Sequence, residues 1–183
     1  MSTETIIFGG GCFWCVESAY KRLVGVESIV SGYANGYTQE PTYKQVCSGN
    51  TGHAEVVKIE FNPDKISLDI LLDVFFTIHD PTTPNRQGND IGSQYRSIII
   101  YENEEQQKKV ERKIEALREA NLWPNQIVTE VEPLKAFYEA EEYHQDYFNK
   151  NPTNGYCQAI IPPKLSKLES TLKSSGLKSI LVE

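Results

Sequence analysis

The sequence has no long hydrophobic run, no excess of positive charge and few cysteines. Its longest apolar stretches are about four residues, far short of the roughly 20 that a transmembrane helix needs, so we expect no membrane partner. Twenty-five acidic against 18 basic side chains leave a net charge of −7, which disfavours nucleic-acid binding. No secretory signal is recognisable, so we expect a cytoplasmic protein. Four cysteines in a reducing compartment do not indicate a structural disulfide framework.

The 183 residues, 39% of them hydrophobic, contain no visible linker or internal repeat. We therefore predict one domain over residues 1–183, in which 150–183 form a partly irregular C-terminal tail. The apolar periodicity predicts strands at 5–8, 27–33, 55–61, 95–101 and 127–131, helices after Phe13, Ser67 and Asn103 and near 139–149, and irregular segments at 34–52 and 80–94. This order favours an α/β (α+β) fold, a two-layer sandwich with a mixed sheet and a split β-α-β, ferredoxin-like core.

The sharpest local feature is the segment from Gly9 to Cys15, where a glycine turn joins a predicted strand to a predicted helix. Cys12 would lie at the helix N-terminus, whose dipole lowers the pKa of a thiol and favours the nucleophilic thiolate. An isolated cysteine is more often a small buried hydrophobe, so this position is what makes Cys12 a candidate. Trp14 stands where a dinucleotide-binding Gly-x-Gly-x-x-Gly motif requires glycine, which excludes that motif.

Cys12 and Cys15 also form a C-x-x-C pair, which is typical of zinc sites and of thiol-disulfide exchange. Cys47 and Cys157 stand alone and the three histidines are scattered, so the ligand count disfavours zinc and we expect no metal. General thiol-disulfide exchange through Cys12 and Cys15 stays open as an alternative function. The intervening Phe13 and Trp14 indicate instead a small apolar pocket for a methyl or thioether group.

Glu55 is the second candidate catalytic residue. The alternation from Glu55 to Phe61 places Glu55 on the apolar face of a strand, where partial desolvation would raise its pKa and make it a proton donor. The alternative interpretation is a glutamate at a strand end that reaches solvent. Replacing Glu55 would distinguish an enzyme that needs a proton donor from a general dithiol exchanger.

Four blocks of the chain together resemble one family, the peptide methionine sulfoxide reductases of the A type, which reduce the S epimer of methionine sulfoxide. These blocks are Gly11-Cys12-Phe13-Trp14, Tyr43 through Glu55, Asn85-Arg86-Gln87-Gly88-Asn89-Asp90 to Gln94-Tyr95-Arg96-Ser97, and Tyr143-His144-Gln145-Asp146-Tyr147 to Asn151-Pro152 and Gly155-Tyr156-Cys157. They occur in the family's order, which is far more specific than any single block.

The resemblance implies a role for each matched residue. Cys12 would attack the sulfoxide sulfur and end as a sulfenic acid, while Glu55 protonates the departing oxygen. The residues that would bind the substrate are Phe13 and Trp14 at its methyl group, Tyr43 and Tyr95 at its oxygen, and Asp90 on the polar side of the pocket. No cofactor would be bound. The expected partners are oxidised proteins and peptides and the external reductant thioredoxin, with dithiothreitol as its substitute in vitro, and we expect a monomer.

The sulfenic acid requires a resolving thiol, and the sequence offers two. Cys157 matches the family's tail cysteine and follows a turn-rich segment, so we favour it as the first resolver. Cys15 is the rival or a later relay, since a disulfide within the first helical turn would be strained. Cys47 is expected to be a buried structural thiol, and His53 and His144 to be packing residues.

Overall fold

The structure, a computed structural model, describes residues 3–182, so residues 1, 2 and 183 of the predicted domain and tail lie outside the described residues. The strands are β1 (Glu4–Gly9), β2 (Val26–Ala34), β3 (Ala54–Phe61), β4 (Arg86–Gln87), β5 (Asp90–Ile91), β6 (Ile98–Tyr101), β7 (Glu130–Pro133) and β8 (Phe137–Glu139). The helices are α1 (Phe13–Tyr20), α2 (Tyr43–Cys47), α3 (Leu68–Ile78), α4 (Glu104–Ala120), α5 (Tyr147–Lys150) and α6 (Gly155–Ser174).

Six of these strands form one mixed sheet in the order β7-β6-β1-β3-β2-β8. β1 pairs antiparallel with β3 and β6, β2 pairs antiparallel with β3 and β8, and β6 runs parallel to β7. β3 therefore separates β1 and β2, the two strands that α1 connects. The mixed sheet with packed helices confirms the predicted α/β class. β4 and β5 form a separate short hairpin.

The main core lies between one face of the sheet and the helices. Alternation along the central strands sends Ile6, Phe8 and Ile59 into this core and Ile7 to the opposite face, where a smaller apolar cluster is packed against Phe137. The apolar face of α3 is buried, and the Ile70 N–H donates to the side chain of Ser67 at 3.2 Å, so Ser67 is the N-cap of this helix. Within residues 3–182, no helix is long and apolar enough to span a bilayer.

The C-terminal segment corrects the prediction of a partly irregular tail over 150–183. Residues Gly155–Ser174 form a single 20-residue helix, α6, which packs on α1 and α3 through side chains that include Ile161, Leu168 and Leu172. Pro162 and Pro163 cannot donate backbone hydrogen bonds to the preceding turn, a pattern that normally ends a helix. Burial of apolar side chains on both sides of the prolines keeps the helix continuous.

Three further predictions of secondary structure were wrong. Where a helix was expected near 139–149, the structure has β8, a 3-10 turn at Glu142–His144 and the short α5. A continuous helix is interrupted because Asp146 adopts a left-handed backbone conformation with φ of 56°. The segments expected to be irregular, 34–52 and 80–94, contain α2 and the β4–β5 hairpin. The last predicted strand begins three residues later than expected, as β7, because it pairs in parallel register with β6.

Candidate active site

Cys12 occupies the N-cap position of α1, directly after the central strand β1, as the sequence predicted. Gly11 has a φ of +87°, the left-handed conformation that favours glycine, and its N–H donates to the carbonyl of Tyr95 at 3.2 Å. A Cβ atom at Gly9 would lie 2.8 Å from a side-chain carbon of Ile98 and 2.9 Å from the Glu55 carbonyl. The glycines therefore let Cys12 emerge beside the strand that carries Glu55.

Three of the four cysteines lie together in the interior. Cys12 is 7% exposed, Cys15 3% and Cys157 not at all. The Cys12 thiol lies within hydrogen-bonding reach of the Cys15 sulfur, and the charge of Cys15 acts in turn on Cys157. Cys15 is therefore the thiol that contacts the candidate nucleophile, and Cys157 lies within the electrostatic range of Cys15.

The pKa values of this cluster differ from the sequence-based expectation for Cys12. Burial raises the pKa of Cys12 well above its usual value and outweighs the stabilising backbone N–H of the helix start. The hydrogen bond from Cys12 lowers the pKa of Cys15, and burial raises that of Cys157 to about 11. In the resting site the Cys12 thiol is therefore protonated, and its thiolate must form when substrate binds.

Glu55 lies on β3, is 1% exposed, and points into the same space as Cys12. Its Oε1 accepts the N–H of Phe13 at 3.2 Å, whereas Oε2 has no hydrogen-bond partner among the described residues. Burial raises the pKa of this carboxyl to about 8, and the negative charge of Asp90 adds to the effect. At neutral pH Glu55 is therefore protonated, and its burial agrees with the position expected from the sequence.

This raised pKa makes the wild-type fold less stable as pH increases. A carboxyl that is neutral in the native state up to about pH 8 but ionises near pH 4.5 when unfolded destabilises the fold progressively between those values. We expect Glu55→Gln to increase the free energy of unfolding at pH 8.5 by on the order of a few kcal/mol, and much less at pH 5. Urea unfolding at both pH values measures this difference. Glu60→Gln on the same strand is the matched control, and an unchanged Glu55→Gln protein at pH 8.5 would contradict the assignment.

Tyr43 and Tyr95 lie within the electrostatic range of this carboxyl. Tyr43 is the first residue of α2, which a capping box formed by Thr42 and Gln45 fixes in place, and Tyr95 ends a 3-10 turn before β6. Burial raises the pKa of both phenols, and the next cause for each is the negative charge of Glu55. Both phenols therefore remain protonated and can donate hydrogen bonds.

Phe13 and Trp14 have different environments. Phe13 is fully buried, with its ring centroid 5.7 Å from that of Tyr33 and 6.3 Å from that of Tyr43. Trp14 is half-buried, and its indole stacks on Tyr147 with 3.8 Å between centroids and 7° between planes. Of the two residues expected to form an apolar pocket, Phe13 is therefore enclosed and Trp14 is partly exposed.

Asp90, on β5, lies at the polar edge of the site. Its carboxylate accepts a hydrogen bond from the hydroxyl of Tyr156 in the first turn of α6, and its charge acts on both Glu55 and Cys15. Tyr156 also presents its ring edge-on to Trp14. Residue-type reasoning did not single out Tyr156, although it lies in the fourth block that carries the family resemblance.

The structure also tests the expected environments of Cys47 and His53. Cys47 is exposed at the end of α2, within reach of the Tyr43 hydroxyl, so the expectation of a buried structural thiol was wrong. His53 is a packing residue as expected, because its Nδ1 accepts the N–H of Gly36 at 2.9 Å and its Nε2 donates to the Thr38 carbonyl. In the part of the chain that the structure describes, no cluster of His, Cys, Asp or Glu is arranged to hold a metal ion.

A buried thiol pair with a third thiol near it, next to a protonated carboxyl and two phenols, defines the site of a thiol-dependent oxidoreductase. The model of the peptide methionine sulfoxide reductase family matches residues 4–176. The chain is 56% identical over 166 residues to the peptide methionine sulfoxide reductase MsrA of Trichodesmium erythraeum, covering 91% of this chain and 94% of that protein. This chain therefore belongs to the peptide methionine sulfoxide reductase family.

Solved structures agree with this assignment. The reduced form of Mxr1 from Saccharomyces cerevisiae superposes with a TM-score of 0.78 at 41% identity, covering 86% of this chain and 91% of that one. Mxr1 in complex with Trx2 superposes with a TM-score of 0.55 at 32% identity, covering 79% and 84%. The α/β fold class and the family expected from the sequence are thus confirmed.

Proposed function

We propose that this protein reduces the S epimer of methionine sulfoxide, in proteins and as the free amino acid, to methionine. The single observation that carries the proposal is the buried, protonated Glu55, whose Oε2 has no hydrogen-bond partner among the described residues and which lies within the electrostatic range of Cys12. Sulfoxide reduction needs a proton on the departing oxygen as well as a nucleophile, whereas thiol-disulfide exchange needs no such acid.

In the first step the sulfur of Cys12 attacks the sulfoxide sulfur and Glu55 protonates its oxygen. Cys12 loses its thiol proton as the substrate polarises, and this proton restores Glu55. The substrate's S–O bond breaks and the hydroxyl is transferred to Cys12, so methionine sulfur is reduced by two electrons and Cys12 becomes a sulfenic acid. Tyr43 and Tyr95 donate hydrogen bonds to the oxygen where negative charge develops, while Asp90 borders its polar side.

Recycling of Cys12 uses the other two buried thiols. Cys15 attacks the Cys12 sulfenic acid, water leaves and a Cys12–Cys15 disulfide forms. Cys157 then attacks Cys15, which releases the Cys12 thiolate and leaves a Cys15–Cys157 disulfide that thioredoxin reduces to two thiols. This proposed order differs from the sequence-based preference for Cys157 as first resolver, and the contact between the Cys12 and Cys15 thiols supports it.

Thioredoxin must reach a disulfide that is buried in the structure. Pro162 and Pro163 remove two backbone hydrogen bonds between the first two turns of α6 and the rest of the helix. The turns that carry Tyr156 and Cys157 are therefore held mainly by side-chain contacts, and we propose that they separate at the prolines to expose Cys157.

The function is tested by mixing the protein with dithiothreitol and separately prepared S and R epimers of a methionine sulfoxide peptide. We expect formation of methionine from the S epimer alone, and none with Cys12→Ser, because serine cannot form the sulfenic acid. Chromatography of the peptide measures methionine formation from each epimer by the wild type and by Cys12→Ser. Reduction of neither epimer by the wild type would reject the proposed function.

A further inference from the structure

His144 lies at the centre of the aromatic cluster around the substrate pocket, and the roles assigned above do not include it. The side chain is 1% exposed. Its ring centroid is 4.3 Å from that of Tyr43 and 5.1 Å from that of Phe13, two residues that the proposed reaction uses. A polar ring at this depth requires a specific partner.

That partner is the indole of Trp14. Its Nε1–H donates a hydrogen bond to His144 Nδ1 at 3.0 Å. An indole nitrogen can only donate, so Nδ1 must be the unprotonated nitrogen of the imidazole, and the neutral ring carries its proton on Nε2. Burial lowers the pKa of His144, which keeps this neutral, accepting form at pH 7.

The segment that carries His144 is anchored to the same helix as Trp14. The carboxylate of Glu17 on α1, 2% exposed, accepts the N–H groups of Asp146 at 3.0 Å and Tyr147 at 3.3 Å. The side chain of Gln145 forms hydrogen bonds at 2.9 Å with both the N–H and the carbonyl of Ser31 on β2. These contacts explain how this short irregular segment can hold the rings of His144 and Tyr147 at fixed positions.

His144 and Tyr147 therefore restrain the Trp14 indole in two directions. Stacking on Tyr147 fixes the plane of the indole but allows it to slide and rotate within that plane. The hydrogen bond to His144 is directional and removes this freedom. The edge of the indole that faces the pocket is thus held in one orientation before substrate arrives.

We propose that His144 is a positioning residue that sets the substrate affinity of the pocket by fixing the orientation of Trp14. The inference rests on the proposed function, since it assumes that Trp14 contacts the methyl group of a sulfoxide. His144 takes no part in proton transfer or in the chemistry of Cys12.

The test compares His144→Asn with His144→Leu. Asparagine places an amide oxygen near the position of Nδ1, whereas leucine has a similar shape and no acceptor. In single-turnover reduction of the S epimer we expect His144→Leu to need about 10-fold more substrate than His144→Asn for half-maximal rate, the effect of one buried hydrogen bond. The rate at saturating substrate should agree within about twofold, because the reacting groups are unchanged.

A Trp14→Phe background separates positioning from general packing. Phenylalanine has no N–H to donate, so there the Asn and Leu variants should have the same substrate requirement. Equal requirements in the Trp14 protein, or a difference that persists with Trp14→Phe, would overturn the proposal. An inactive wild type would instead reject the proposed function, so the two failures are distinguishable.

Fluorescence provides a readout that does not depend on activity. In a Trp123→Phe protein, emission reports Trp14 alone, since the chain has two tryptophans. Loss of the hydrogen bond from the indole N–H should move the emission of His144→Leu to shorter wavelength and leave that of His144→Asn close to the parent protein. Identical spectra for the two variants would contradict the hydrogen bond itself.

Discussion

Glu55→Gln is expected to slow single-turnover reduction of the S epimer by roughly 10²- to 10⁴-fold, the usual contribution of a positioned general acid. Glutamine keeps the shape of the side chain and can still accept the Phe13 N–H, but it has no proton to give to the departing oxygen. Rapid mixing of reduced enzyme with excess substrate, followed by quenching and chromatography of methionine, measures the rate. Glu60→Gln on the same strand should be unaffected.

The pH dependence of the wild-type single-turnover rate provides a second test of proton donation by Glu55. Because Glu55 donates its proton only when neutral, the rate should fall about tenfold for each pH unit above its pKa of about 8. The slow Glu55→Gln reaction should lack this decline. A wild-type rate that keeps rising to pH 10 would show that thiolate formation alone limits the step, and would remove Glu55 from the mechanism.

The same variant separates the two candidate functions. A general thiol-disulfide oxidoreductase would use Cys12 and Cys15 as a reversible pair and would not need an acid at position 55. We therefore expect the disulfide form of Glu55→Gln to be reduced by thioredoxin at close to the wild-type rate, while the variant loses sulfoxide reduction. Retention of both activities would favour the alternative function.

Replacing each resolving thiol should stop thioredoxin-supported turnover at a different oxidation state of Cys12. With Cys15→Ser, we expect about one methionine per enzyme and a sulfenic acid that dimedone traps, because Cys15 is the thiol that contacts Cys12. With Cys157→Ser, we expect the same single reduction but a Cys12–Cys15 disulfide that dimedone does not label. That disulfide is inaccessible to thioredoxin, since both sulfurs are buried. Mass spectrometry after one turnover distinguishes the two products.

Cys47→Ser is the matched control for these variants, because Cys47 is exposed and lies outside the row of three buried thiols. It should support full turnover. Normal turnover by Cys15→Ser would show that Cys15 does not act between Cys12 and Cys157. Cys157 would then be the thiol that resolves the Cys12 sulfenic acid directly. Normal turnover by Cys157→Ser would make the Cys12–Cys15 disulfide the species that thioredoxin reduces.

The local physical chemistry of the chain was enough to predict much of the fold. Glycines that end an apolar strand placed Cys12 at a helix N-terminus, and the alternation from Glu55 to Phe61 placed Glu55 on a buried face. The amphipathic stripe after Ser67 was equally clear. These features depend on neighbours within about ten positions, which periodicity and capping rules describe directly.

The order of the resolving thiols could not be predicted from the sequence, because it depends on contacts between distant segments. Cys157 follows Cys15 by 142 positions, and its place near Cys15 results from the packing of α6 on α1 despite two prolines that local rules treat as a helix end. The pKa of Cys12 is a similar case: the helix N-terminus lowers it, but burial by surrounding elements raises it by more.

The sequence by itself therefore predicted the α/β fold class from the order of its elements, and it placed the two candidate catalytic residues, Cys12 at a helix N-terminus and Glu55 on a buried strand face, from local patterns. Only the tertiary structure decided which thiol contacts Cys12 and which ring holds Trp14. The hydrogen bond between Trp14 and His144 joins residues 130 positions apart. Such contacts arise when strands and helices distant in sequence bury their apolar faces together, and no local pattern encodes the resulting neighbours.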